Sequence, residues 1–197
     1  MNSIAPAAFP RTLEGIEPDE QSLIRAAHRD PAAFAQHYRE YVKPVYAYTL
    51  SRVGVPEDAR DLTSETFLAA LQGIEHFRAE SKFSTWLFGI ARNKCADYFR
   101  RRHINGREVE IDAAERQPAP GPQLDDMVER SARFEELART ARLLPPEQAE
   151  ALSLRIFGGL TAAQAGQVMG KSEAAVKMLV YRAVRELRTM LGDWAEA

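Results

Sequence analysis

Apolar positions along the chain recur with a period near 3.6, and no run alternates with period two between hairpin signals, which predicts an all-α protein. Asp30 and Pro31 read as a cap followed by a first-turn proline. The helix they open carries Phe34, Tyr38, Tyr41, Val42, Val45 and Leu50 on one side and should stop near Arg52, ahead of Gly54 and Pro56. A second helix from about Glu57 to Glu75 buries Leu62, Phe67, Ala70, Leu71 and Ile74. A third from about Ser84 to Arg102 buries Leu87, Ile90, Ala91 and Tyr98. Amphipathic helices of this length can share one core.

The helical pattern stops between His103 and about Gln123, where Gln117-Pro118-Ala119-Pro120-Gly121-Pro122 cannot sustain helical hydrogen bonding; this reads as a flexible linker. Periodicity resumes over about Leu124 to Leu143. Pro145-Pro146 then opens a helix through about Phe157, closed by Gly158-Gly159. Thr161-Ala162-Ala163-Gln164 is a capping box for a short helix, Gly170 permits a tight turn, and Ser172 can cap a last helix to about Leu191. The architecture is two small helical domains on a tether.

Composition narrows the function. In 197 residues, 45% hydrophobic and 27% charged side chains are globular values. The single cysteine, Cys95, closes no internal disulfide and supplies no thiolate-rich zinc site; it reads as a small buried residue in a reducing compartment. No basic start followed by a long apolar run opens the chain, and Trp86 to Ala91 is among its longest apolar stretches, so no signal peptide, no membrane span and a cytoplasmic location are expected. Four histidines fall in no nucleophile or metal motif, so neither catalysis nor a cofactor is expected. A net charge of -2 argues against non-specific coating of nucleic acid. The charge is unevenly placed, however. Arg92 to Arg107 holds six basic residues against one acid, Glu108 to Glu150 eleven acids against five bases, and Lys171 to Arg188 five bases against two acids. Two basic surfaces flanking an acidic stretch suit two contacts on one linear polyanion.

The short helix, glycine turn and longer helix at the C-terminal end have the order of a helix-turn-helix, whose second helix presents its N-terminal residues to the major groove. At 100° per residue, Val176, Leu179, Val180, Ala183 and Leu187 fall within about 50° of one direction, while Lys171, Ala174, Met178, Tyr181, Arg182 and Arg185 point away. Nearer the N-terminus, His76 to Phe88 interleaves aromatics, cations and hydroxyls before the basic helix that ends Arg100-Arg101-Arg102. Base stacking on aromatics is worth roughly 1–3 kcal/mol per base, comparable to the roughly 1.4 kcal/mol per step given up when a duplex opens. Such a surface can hold a melted strand. Phe83 and Leu87 are expected in the core, Lys82 and Trp86 at the surface. Upstream, Asp58, Asp61 and Glu65 make one helix face acidic beside Leu62 and Phe67, a face suited to a basic partner.

Asp58 to Leu68 and Phe77 to Lys94 resemble region 2 of the extracytoplasmic-function (group IV) bacterial sigma factors. Leu144-Pro145-Pro146-Glu147-Gln148 through Val176-Lys177 and Arg182-Ala183 resembles their region 4. The resemblance covers roughly residues 30–103 and 125–191 in the family's order. It implies an unassigned segment 1–20, region 2 over 21–103, a linker over 104–123 and region 4 over 124–197. It further implies that the chain binds core RNA polymerase, directs it to promoters and assists DNA opening. On this basis Asp58, Asp61, Leu62, Glu65 and Phe67 would dock on the clamp helices of the largest polymerase subunit, and the flap of the second-largest subunit would be a further contact of the chain. Lys82, Ser84, Thr85, Trp86, Arg92, Asn93, Asp97, Arg100 and Arg101 would take the melted non-template strand of the minus-ten element. Lys171, Ser172, Glu173, Lys177 and Arg182 would read the minus-thirty-five duplex. An anti-sigma factor would be a fitting inhibitory partner.

Two departures from the family pattern carry expectations. Gln164-Ala165-Gly166 replaces the common Glu-Ile-Ala and should loosen packing of the reading domain; Val176-Lys177-Met178-Leu179 replaces Val-Lys-Ser-Arg and drops a cation. The alternative to a sigma factor is a one-component helix-turn-helix repressor or activator, which would form stable dimers on palindromic duplex without the polymerase core.

Overall fold

The computed structural model describes residues 31–77, 81–104 and 138–192. Helices α1 (Pro31–Val53), α2 (Pro56–Gly73) and α3 (Phe83–Ile104) pack on one another, with a 3-10 turn at Ile74–His76 after α2. A short helical stretch at 138–141 leads to α4 (Pro146–Ile156), α5 (Ala162–Met169) and α6 (Glu173–Gly192), which form a second packed group. Among the described residues there is no strand, and no helix is long and apolar enough to cross a membrane. Segment 1–20 and linker 104–123 lie outside the described residues, apart from the last residue of α3, Ile104.

The described helix ends follow the sequence signals; Asp30 and the expected helix from about Leu124 as far as residue 137 lie outside the described residues. Gly54, at φ 77, takes the left-handed turn that stops α1 and donates its N–H to the Leu50 carbonyl at 2.8 Å. Pro56 and Pro146 occupy first-turn positions, where a missing N–H costs nothing. In the capping box, the Gln164 N–H donates to Thr161 Oγ1 at 3.2 Å and the Thr161 N–H to Gln164 Oε1 at 2.8 Å. Gly170 ends α5 at φ 66, and Ser172 Oγ accepts the Ala175 N–H at 3.2 Å.

Phe34, Tyr41, Val42, Val45, Leu62, Phe67, Ala70, Ile74, Leu87 and Ala91 are buried as the periodicity expects, and so is Cys95. Leu71 and Tyr38 are not: both are exposed, because α2 and α1 each have only part of their apolar stripe covered by neighbours. Burial pushes the Cys95 thiol up to about 12, which holds it protonated.

The tether does not keep the two helical groups apart. One continuous apolar core takes in Tyr48 and Phe88 from the first group and Leu154, Phe157, Leu160, Ala165 and Val176 from the second. Gly158 presses against the Phe88 ring so closely that a Cβ there would lie 2.9 Å from Cε1. Polar groups seal the seam between α1 and α4. The Tyr48 hydroxyl donates to Glu150 Oε1 at 2.6 Å, Arg52 pairs with the same carboxylate at 3.1 Å, and Ser51 donates to Ser153 Oγ at 3.0 Å. Burial, and then the Glu150 charge, raise the Tyr48 phenol well above its ordinary range.

Candidate nucleic-acid interface

The first candidate surface lies along α3. Phe83 is fully buried against His37, Tyr41 and Phe77, while Lys82 is exposed, as the pattern of aromatics and cations expects. Trp86 is half-buried, with its ring 4.9 Å from Phe77, 5.6 Å from Phe83 and laid against Gly73. An edge of an otherwise fixed indole therefore remains available. One helical turn and more along, Asn93, Asp97, Arg100 and Arg101 are exposed and Arg92 half-buried; Asp97 and Arg100 pair at 2.9 Å. An exposed pair of this kind holds its partners only weakly, so the arginine is available to a phosphate.

Ser84 and Thr85 are placed differently. Each is only 5% exposed, because α5 packs across this end of α3. The Gln164 amide, whose oxygen completes the capping box, donates through Nε2 to Ser84 Oγ at 3.2 Å. Thr85 Oγ1 is buried without a hydrogen-bond partner among the described residues. A strand of nucleic acid reaches these two hydroxyls only when α5 has moved. Sequence reasoning missed this contact: Ser84 and Gln164 are separated by 80 positions and no helical periodicity links them.

The acidic helix keeps its apolar side in the core, as its periodicity expects. Asp61 is exposed and Glu65 half-buried beside Lys94 at 3.3 Å. Leu62 and Phe67, assigned to the docking surface by resemblance, lie inside the bundle; Phe67 packs edge-on against Phe34 and Tyr38. They shape the helix from behind. The apolar side chains that α2 does expose are Leu68 and Leu71. Asp58 is committed as well. It accepts the Tyr98 hydroxyl at 2.6 Å and pairs with Arg102 at 3.4 Å, while Arg102 also donates to Tyr98 and lies over its ring. Burial and the Asp58 bond raise the Tyr98 phenol.

The second candidate surface is the helix-turn-helix. Val176, Ala183 and Leu187 of α6 are buried, which turns Met178, Tyr181, Arg182 and Arg185 outward as the 100° arithmetic requires. Ser172 is used as the helix cap. Glu173 pairs with Lys177 at 2.6 Å and Lys171 with Glu147 at 2.7 Å. Gly166 does not loosen this unit, contrary to expectation. A Cβ there would stand 2.6 Å from the Lys171 carbonyl oxygen, so glycine is what lets the turn close against α5. Among the described residues, no group of three or more His, Cys, Asp or Glu could hold a metal ion.

The family model for Sigma-70 region 2 matches residues 37–103, and that for Sigma-70, region 4 matches residues 134–187. The chain is 39% identical over 175 residues to the ECF RNA polymerase sigma factor BldN of Streptomyces coelicolor, a match covering 86% of this chain and 64% of that protein's length. It is 32% identical over 181 residues to the RNA polymerase sigma factor NccH of Alcaligenes xylosoxydans xylosoxydans, covering 88% of this chain and 94% of the relative. In fold it is similar to the sigma factor RpoE of Bartonella quintana, solved in complex with the anti-sigma factor NepR. The TM-score is 0.65 at 22% identity, over 81% of this chain and 96% of that one.

Proposed function

From the premise that this chain belongs to the sigma-70 family as an extracytoplasmic-function RNA polymerase sigma factor, we propose how its surfaces divide the work of promoter binding and opening. The chain supplies specificity and carries no catalysis of its own. Helix α2 docks on the clamp helices of the largest polymerase subunit through Asp61 and Glu65, with Leu62 and Phe67 holding the helix in shape and Asp58 tying it to α3. Region 4 sits at the flap of the second-largest subunit. The division of the chain into 21–103 and 124–197, joined by linker 104–123, follows the same reading.

Lys82, Trp86, Arg92, Asn93, Asp97, Arg100 and Arg101 receive the melted non-template strand of the minus-ten element, joined by Ser84 and Thr85 once α5 withdraws. Lys171, Ser172, Glu173, Lys177 and Arg182 contact the minus-thirty-five duplex. An anti-sigma factor is the proposed inhibitory partner, on the strength of the RpoE–NepR complex. The observation that carries the reading is the half-buried, rigidly braced Trp86 at the head of a helix whose far end exposes Arg100 and Arg101. A braced ring can stack on a base without first losing rotamer freedom. A dimeric one-component regulator is less well supported, since a helix-turn-helix does not bring a region 2 match with it.

The test is in vitro transcription with core polymerase and this chain on a promoter library, followed by permanganate footprints of a normal and a pre-melted promoter. Trp86→Ala should lose opening on the normal promoter and keep most of it on the pre-melted one. Equal loss on both, or no association of the chain with core at micromolar concentration, overturns the reading.

A further inference from the structure

On the reading of α6 as the helix that enters the minus-thirty-five groove, the polar residues of its first turns are already engaged with one another. Ser172 caps the helix, Glu173 holds Lys177, and Lys171 is held by Glu147. The Glu173–Lys177 pair is exposed and holds its lysine only weakly, so the lysine stays available to a phosphate, and the same face also carries open apolar side chains. Ala174, Met178 and Tyr181 follow at i, i+4 and i+7 and so lie along one line of the helix. All three are exposed, Met178 at 50% and Tyr181 at 62%, while Val176 and Ala183 are buried on the opposite side. Exposed Arg182 and Arg185 flank the C-terminal end of the line. Two large apolar side chains in solvent on a cationic helix face meet one chemical feature of duplex DNA that is itself apolar, the thymine C5-methyl group in the major groove. Seven rises, from Ala174 to Tyr181, run about 10 Å, close to three base-pair steps.

We infer that Met178, flanked by Ala174 and Tyr181, determines promoter choice by packing against a thymine methyl of the minus-thirty-five element, with the cations supplying phosphate contacts around it. The side chain suits the task. An unbranched thioether adapts to a methyl without a fixed hydrogen-bond geometry, and it is only a weak acceptor for a cytosine amino group in its place. Met178 in place of the Ser of the common family pattern thus puts an apolar group on the outward face, while Leu179 in place of the Arg packs against the core.

The experiment uses holoenzyme reconstituted from the full chain and core polymerase, whose formation is first established by co-migration. Minus-thirty-five sequences are selected from a randomised duplex, and each thymine in the selected element is then replaced by deoxyuridine, which deletes the methyl and nothing else. At one thymine or more the replacement should weaken binding by about fourfold, the equivalent of one buried methylene-sized group at about 0.8 kcal/mol. Holoenzyme carrying Met178→Ser should no longer distinguish thymine from uracil there. Because Met178 is exposed, the variant should melt at the same temperature as the parent, which separates lost reading from lost folding. The inference is overturned if the parent is indifferent to every replacement, or if the variant retains the full discrimination. Absence of holoenzyme would overturn the assignment of function itself, an outcome distinct from a holoenzyme that forms and ignores the methyl.

Discussion

Replacing Glu150 by alanine should release the two helical groups from each other. The carboxylate is 12% exposed and Arg52 is 15% exposed, and between them they close the seam over the fully buried Tyr48. Removing Glu150 leaves a buried guanidinium without its counter-charge and a buried phenol without its acceptor. Breaking a buried pair from one side costs about 3–5 kcal/mol. The penalty applies to the packed arrangement alone, since in the separated one both groups are hydrated. At about 1.4 kcal/mol per tenfold, the packed population should fall by about two to three and a half orders of magnitude relative to the separated one. Glu150→Gln, which can still accept from Tyr48 but carries no charge for Arg52, should give a smaller shift. The assay is the spin-label distance between cysteines introduced at exposed Lys43 and Thr189. The native Cys95 stays silent because burial keeps its thiol protonated. A narrow distribution in the parent should become broad and longer in Glu150→Ala, with Glu150→Gln between them. The same narrow distribution in all three proteins would refute the argument that this seam holds the groups together.

Gly166→Ala should lower the melting temperature, by an amount matching about 1–3 kcal/mol of overpacking, since its Cβ would meet the Lys171 carbonyl oxygen at 2.6 Å; an unchanged melt would contradict the close approach. His37 is 2% exposed, with neither ring nitrogen hydrogen-bonded among the described residues and its ring stacked on Phe83, and burial lowers its pKa. The unfolded chain therefore takes up that proton first. The stability gained from keeping His37 neutral is present above about pH 6.5 and lost as pH falls below it, so urea melts of His37→Phe should show less loss toward pH 5 than the parent. Cys95 should react with a thiol reagent at the rate of global unfolding; rapid reaction in native buffer would show the burial to be wrong. Tyr98→Phe removes the hydroxyl that Asp58 accepts and should destabilise the chain by about 1 kcal/mol in a denaturant series.

Much of the local structure was legible because its causes are local. Gly54, Pro56, Pro146, Thr161, Gly170 and Ser172 act through backbone angles and first-turn hydrogen bonds, and each sits where its chemistry requires. The buried stripes of α2 and α3 follow the 3.6-residue period, except where no neighbour arrives to cover it, as at Leu71. Contacts across the seam were not legible. Tyr48 and Glu150 are 102 positions apart, and each looks ordinary on its own helix. The same blindness hid the burial of Ser84 and Thr85, which depends on a helix far along the chain, and the role of Gly166, which depends on where the next turn folds back. Leu62 and Phe67 face inward as the 3.6-residue period expects, and it is the family resemblance, not the pattern, that puts them at a docking face.

The bond between Asp58 and the Tyr98–Arg102 pair joins the opening turn of α2 to the final turns of α3. If one of these helices grips the enzyme and the other cradles the unwound strand, the joint works as a set-square, fixing the angle between machine and template before either is engaged. Slack in it would register as scatter in where RNA chains begin, while the tightness of attachment stayed the same.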